Sequence, residues 1–154
     1  MSSKLVIYPE NPTCAAIQEL ITELDNHLAA LYPPESRHGL NIQALLNKSV
    51  TVFLAKLDDK PVGCGALKLF APLYAEVKRM YIKPAFRGKG IGKKILNEIE
   101  LSAKQANIYT LRIETGIYQL EAIGLYEKLG FYRIPAFGDY KPDSLSLFFE
   151  KKLV

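Results

Sequence analysis

Long apolar runs are missing from this chain. Nowhere in its 154 residues does an uninterrupted hydrophobic stretch approach the ~20 residues that span a bilayer. The opening Met-Ser-Ser-Lys-Leu-Val-Ile-Tyr-Pro holds too short an apolar stretch for a secretory leader, so a cytoplasmic location is expected. Cysteine and histidine are scarce as well. Cys14 and Cys64 form no Cys-x-x-Cys pair, and His27 and His38 do not cluster, so neither a disulfide framework nor a metal site is indicated. Repeats, low-complexity tracts and linkers are absent, which leaves one domain over residues 1–154. With 49% hydrophobic and 23% charged residues, the composition is ordinary for a globular protein and argues against disorder.

What is present is a basic excess. Twenty Lys and Arg against sixteen Asp and Glu give a net charge of +4. Such a balance suits a polyanionic ligand, either nucleic acid or a phosphorylated cofactor. The excess is uneven, since Lys78, Arg79, Lys83, Arg87, Lys89, Lys93 and Lys94 crowd into residues 78–94. A solvated surface explains charge clustering equally well, so more than charge is needed.

Residues 4–8 read as a first strand, stopped by Pro9 and Pro12. Thr13 is placed to cap a helix whose stripe is Ile17, Leu20, Ile21, Leu24, Leu28 and Leu31, and Pro33 and Pro34 end it. A short helix is expected near 41–47, then a hairpin of strands 50–57 and 62–70 turning at Asp58-Asp59-Lys60-Pro61. Strand 74–82 is followed by a helix from Gly90 to about residue 106, with Ile91, Ile95 and Ile99 four apart, and then by strand 109–114. Such a crossover favours a parallel strand pair. A helix over 120–129, with Leu125, Tyr126 and Leu129 inward and Gly130 beyond its end, precedes a closing strand at 145–150. The fold class is α/β (α+β), with a mixed, mostly antiparallel sheet and flanking helices.

Between strand and helix lies Arg87-Gly88-Lys89-Gly90-Ile91-Gly92. Alternating glycines let backbone N–H groups approach a ligand, and at a helix start they make an anion site suited to a diphosphate. The spacing is neither the G-x-G-x-x-G of a dinucleotide fold nor a P-loop. It resembles instead the Gcn5-related N-acetyltransferase (GNAT) superfamily. The superfamily's [RQ]-x-x-G-x-[GA] signature is met by Arg87, Gly90 and Gly92, after a strand reading Glu76-Val-Lys-Arg-Met-Tyr-Ile-Lys-Pro84. Its L-Y-x-x-x-G-F element is met by Leu125-Tyr126-Glu-Lys-Leu-Gly130-Phe131. Counting the upstream hairpin and the Phe-rich last strand, the resemblance covers nearly the whole chain.

The resemblance implies acetyl-CoA as acetyl donor, lying where strand 74–82 splays from strand 109–114. It also implies that Met80, Tyr81 and Ile82 pair through their backbone with the pantetheine arm, and that Arg87, Gly88, Lys89, Gly90, Ile91, Gly92 and Lys93 hold the diphosphate. Gln119 stands where the superfamily often has an Asn that contacts pantetheine. Tyr126 matches the tyrosine that protonates the departing thiolate. Glu114 matches a carboxylate base of some members, with Glu76 on the neighbouring strand as the alternative, because an alkylamine of pKa ~10 must lose a proton before attack. A salt bridge at a strand edge is the plain alternative for either carboxylate.

The acceptor is expected to be the amine of a small molecule, bound by Glu35, Arg37, His38 and Tyr140 from two polar, Pro-flanked loops. Arg37 suits a substrate carboxylate. A protein N-terminus or lysine, and a non-catalytic acetyl-CoA-binding regulator, remain as alternatives. A nucleic-acid module has no recognition helix or aromatic RNA motif to support it, and a homodimer is compatible with the resemblance. Cys64, among small strand residues, reads as packing rather than as an acetyl-carrying nucleophile, and His27 reads as surface.

Overall fold

The computed structural model describes residues 3–154, so Met1 and Ser2 of the stretch weighed as a leader lie outside it. Alternation along the strands gives the sheet two apolar faces. In β2 (Val50–Leu57), Val52 and Leu54 enter one core while Phe53 and Ala55 enter the other, as the two-residue period of a strand requires. β1 (Leu5–Pro9), β2, β3 (Lys60–Phe70) and β4 (Tyr74–Ile82) form successive antiparallel pairs. With β5 (Thr110–Gly116), β6 (Tyr132–Ile134) and β7 (Ser146–Lys152) the order is β1-β2-β3-β4-β5-β7-β6. The pair β4–β5 is parallel, as the crossover between them demands.

Helices cover both faces. α1 (Ala15–Leu31) and α2 (Ile42–Leu45) bring Ile17, Leu20, Ile21, Leu24 and Leu45 onto Val52, Leu54 and Ala66. α3 (Ile91–Gln105) and α4 (Leu120–Lys128) bring Ile95, Leu96, Ile99 and Tyr126 onto Phe53, Val77, Leu111 and Phe149. Each fully buried Leu or Ile contributes ~1.5–3 kcal/mol by removal from water.

Several local readings change. The cap of α1 is Cys14, whose sulfur accepts from the Ile17 N–H, while Thr13 bonds back to Asn11. Leu31 ends the expected stripe 37% exposed. The hairpin turns on Asp58 (φ 50) and Asp59 (φ 67) alone, a two-residue turn whose twist suits the flanking strands; β3 therefore starts at Lys60. The three-residue β6 was not anticipated: it is too short for alternation to show, and its Tyr132 and Arg133 are exposed.

The site depends on where the sheet fails to close. β4 and β5 pair only through Ala75 with Leu111, Glu76 with Arg112 and Val77 with Ile113. Beyond those pairs β4 runs on to Ile82 and β5 to Gly116, leaving facing edges apart. A bulge sharpens the divergence: Cys64 pairs with Tyr81 and Ala66 with Lys78, and Arg79 takes φ 56. An extra residue in one strand bends it and increases its twist. No helix among the described residues is long and apolar enough to cross a membrane.

Candidate functional site

The divergence opens a cleft of about 860 Å³ that runs through the sheet and is lined from both faces. On the α3 side the lining is largely backbone. Gly88 and Gly90 have φ of 78 and 79, and a Cβ added at either would meet nothing within 4 Å. Glycine is therefore required there for backbone conformation, and the space beside it is free. Gly90 caps α3 without any side-chain cap. Among the described residues, the N–H groups of 88–93 donate to no backbone carbonyl. Unpaired N–H groups at a helix start, beside Arg87 and Lys93, form a cradle that fits a diphosphate.

Gly92 has a different role, since a Cβ there would lie 3.0 Å from Leu125 Cδ2, where α3 and α4 pack closely. The Arg87 Nε donates to the Ile82 carbonyl at 2.9 Å, tying the loop to the end of β4. Met80, Tyr81 and Ile82 line the cleft along the vacant edge of β4. Gln119 also lines it, its Oε1 3.4 Å from His27 Nε2. Ile91 lines it too, whereas Lys89 is exposed and outside the lining.

On the α1 side the lining is charged. Glu76 is only 3% exposed. Its Oε2 accepts from Lys78 Nζ at 3.2 Å and from the Tyr140 hydroxyl at 2.5 Å, and Lys78 Nζ also donates to Tyr140 Oη at 2.7 Å. Burial, then the neighbouring Glu76 carboxylate, pushes the Tyr140 phenol far up. Glu114 forms no ion pair among the described residues. It accepts one hydrogen bond, from the Ser146 hydroxyl at 2.8 Å. Burial raises its carboxyl above the usual range, while Ser146, His38 and Lys78 pull it back and Glu76 adds to the rise.

The structure thus gathers Glu76, Glu114, Arg37 and His38 at one cleft, with Tyr140 held behind by Glu76 and by its edge contact to His38, centroids 5.2 Å apart. Two expected site residues stand apart. Glu35 is exposed on the 3₁₀ turn Pro34–Ser36 and does not line the cleft. Tyr126 is 3% exposed in the α3-side core, tilted against Phe131 and Phe149, and its neighbours Leu125 and Ala122 supply the lining. Burial, then the Glu114 charge, pushes its phenol well up, so it stays protonated at neutral pH.

Sequence reasoning missed several contributors. Arg79 was visible only within the basic cluster, yet its side chain is 3% exposed and pairs with Asp25. The signal was local: consecutive Lys78 and Arg79 in a strand must leave on opposite faces unless a bulge intervenes. His27 follows Leu24 by three residues, which puts it beside the buried stripe and at the rim of the cleft. Nothing local marks Ser146 as the partner of Glu114. Among the described residues no group of three His, Cys, Asp or Glu is placed to hold a metal ion.

Comparison with known proteins agrees with this geometry. The profile of the acetyltransferase (GNAT) family matches residues 14–131. The IAA acetyltransferase of Azospirillum brasilense is 43% identical over 150 residues, covering 97% of this chain and 98% of that protein. A crystal structure from Klebsiella pneumoniae, assigned as an acyl-CoA N-acyltransferase, superposes with TM-score 0.83 at 36% identity, over 97% of this chain and 98% of that one. A GNAT-family acetyltransferase from Elizabethkingia anophelis, crystallised with acetyl-CoA bound, shares the fold at TM-score 0.67 and 20% identity, covering 97% of this chain and 98% of that one.

Proposed function

The chain belongs to the GNAT acetyltransferase family, and from that premise we propose that it transfers the acetyl group of acetyl-CoA to the amine of a small molecule by direct attack in a ternary complex. One observation carries the reading. The gap between β4 and β5 joins a cradle suited to a diphosphate on the α3 side to a part-buried carboxylate, Glu114, which has no ion pair among the described residues, on the α1 side.

In this proposal acetyl-CoA supplies the activated acetyl group, and residues 88–93 hold its diphosphate. The vacant edge of β4 at Met80, Tyr81 and Ile82 pairs with the extended arm, and an N–H of that edge stabilises the charge that develops on the carbonyl oxygen. Glu114 takes the amine proton, and its raised pKa makes it a better base than an ordinary carboxylate. Glu76, already engaged by Lys78 and Tyr140, orients that wall rather than accepting the proton. The new N–C bond forms as the C–S bond breaks, and the thiolate departs to be protonated by water; Tyr126, buried behind the Leu125 and Ala122 lining, serves it only if that lining shifts.

Direct transfer is favoured because neither Cys14 nor Cys64 lines the cleft, and the one bonded to its wall is unfit to carry acetyl. Cys64 is fully buried, its thiol donates to the Arg79 carbonyl, and burial pushes it up to about 12, leaving almost no thiolate to act. A small acceptor is favoured because the α1-side charges, Glu76 and Arg79 among them, are buried, where a protein segment would need an open groove.

The test is acetyl-CoA-dependent release of free thiol across a panel of small amines, with initial rates taken at varied concentrations of both substrates. Small-amine turnover with intersecting double-reciprocal lines is expected. Parallel lines with an acetylated Cys64 peptide would overturn direct attack. Turnover of peptide N-termini alone would overturn the small acceptor.

A further inference from the structure

Two guanidinium nitrogens stand out on the α1 side of the cleft. Nε of Arg37 and Nε of Arg79 are both buried, and neither has a hydrogen-bond partner among the described residues. Buried N–H donors are almost always satisfied, so two orphans lining one cleft point to a missing acceptor. The Arg79 side chain is 3% exposed. Its guanidinium presses on the loop that carries Arg37, because a Cβ at Gly39 would overlap Arg79 Nη1.

The charges around these donors do not cancel pairwise. Lys78 is paired with Glu76 and Arg79 with Asp25. Arg37 forms no ion pair among the described residues, and neither does Glu114. On the α1 side one cation and one anion are therefore left over, and both line the same cleft. A bare amine would satisfy Glu114 and leave Arg37 and both Nε donors unmet, whereas a simple anion would leave Glu114 unmet. A molecule with an amine at one end and a carboxylate at the other answers both.

We propose that the acceptor is an amino acid, its carboxylate taken by Arg37 with the Nε of Arg79 as a further donor, and its amine presented to Glu114. This rests on the small-amine reading above and narrows it. Arg37 supplies the planar fork that fits a carboxylate with two parallel bonds, while Arg79, anchored by Asp25, stiffens the loop behind it. His38 lines the same cleft, set edge-on against Tyr140, and so borders the space left for the side chain.

The experiment compares matched acceptors with the full-length enzyme at saturating acetyl-CoA. Each common L-amino acid is set against the amine left by its decarboxylation, and thiol release gives kcat and KM for both. The wild type should favour the amino acid of its best pair by ~10-fold or more. Arg37→Ala should cut that preference ~10- to 100-fold, mainly through KM for the amino acid, as loss of a charge-assisted pair implies. Arg37→Lys should restore part of it, and acetyl-CoA titration reports whether each variant is folded. An unaltered preference in Arg37→Ala, or a wild type that acetylates amines and not amino acids, overturns the inference and leaves the small-amine reading standing. Turnover of neither class by an enzyme that binds acetyl-CoA overturns both.

Discussion

The two sides of the gapped sheet are made of different material. On the α3 side the cleft presents backbone: glycines in the left-handed region and unpaired N–H groups at the start of α3, within residues 88–93. On the α1 side the cleft presents charged and polar side chains drawn from Arg37 and His38, Glu76, Glu114 and, behind them, Tyr140 and Ser146. A backbone site tolerates many side chains but resists an added Cβ at its key positions. A side-chain site has the opposite sensitivity, since its functional groups carry the chemistry while the chain beneath them, strand at Glu76, Glu114 and Ser146 and loop at Arg37, His38 and Tyr140, tolerates any Cβ.

The glycines should show the largest effect. Gly90→Val forces a β-branched residue into φ 79, a strained conformation, and Gly92→Val drives a side chain into Leu125. Either should weaken acetyl-CoA binding ~100-fold or more by calorimetric titration, the equivalent of losing one or two hydrogen bonds to a charged group. Unchanged affinity in a folded variant would erase the distinction drawn for the α3 side.

Next comes the proposed base. Glu114→Gln keeps the shape and removes the proton acceptor, so kcat/KM for the acceptor should fall ~10²- to 10⁴-fold. The same variant carries a sign for stability. Because burial raises the Glu114 pKa in the fold, its contribution to stability is full below the unfolded value and is lost as pH rises through the folded one. Glu114→Gln should therefore melt higher than the wild type at neutral pH, with the gap closing in acid.

Tyr126 tests the boundary between the two sides, because it lies in the α3-side core yet feels the charge of Glu114. If its hydroxyl serves the leaving thiolate, Tyr126→Phe lowers kcat ~10²-fold with little change in acetyl-CoA affinity. A kcat near the wild-type value would assign the ring to packing against Phe131 and Phe149.

Ser146→Ala should act most gently. Its hydroxyl is the group that pulls the Glu114 pKa down most, so its loss lets that pKa rise further. The acid limb of kcat/KM, already above the ordinary carboxylate range, should move to higher pH with a few-fold loss of rate. A limb that stays in place would remove Glu114 as the group that titrates.

The contrast between the sides also decides what could be read in advance. β4, the glycine loop and α3 are contiguous, and their strand alternation, glycine spacing and four-residue isoleucine repeat lie within one stretch of chain. The cradle was legible for that reason. The α1 side joins Glu76 to a tyrosine 64 residues away and Glu114 to a serine 32 residues away. No local period encodes such pairings. Glu76 and Glu114 could be named as competing bases, but only the fold shows that Lys78 and Tyr140 occupy the first. Arg79 escaped notice because a bulge hides which way a strand residue points, and Glu35 was drawn in by its neighbours although it faces solvent.

Separate duties on the two sides can be read in one pair of experiments on Glu114→Gln: acetyl-CoA titrated calorimetrically into the variant and the wild type, with acceptor turnover measured on the same samples. Turnover should collapse while the dissociation constant for acetyl-CoA stays within about twofold, as expected for sites that do not share contacts. Affinity falling in step with turnover, or turnover persisting, would contradict the assignment of donor and acceptor to opposite faces of the sheet.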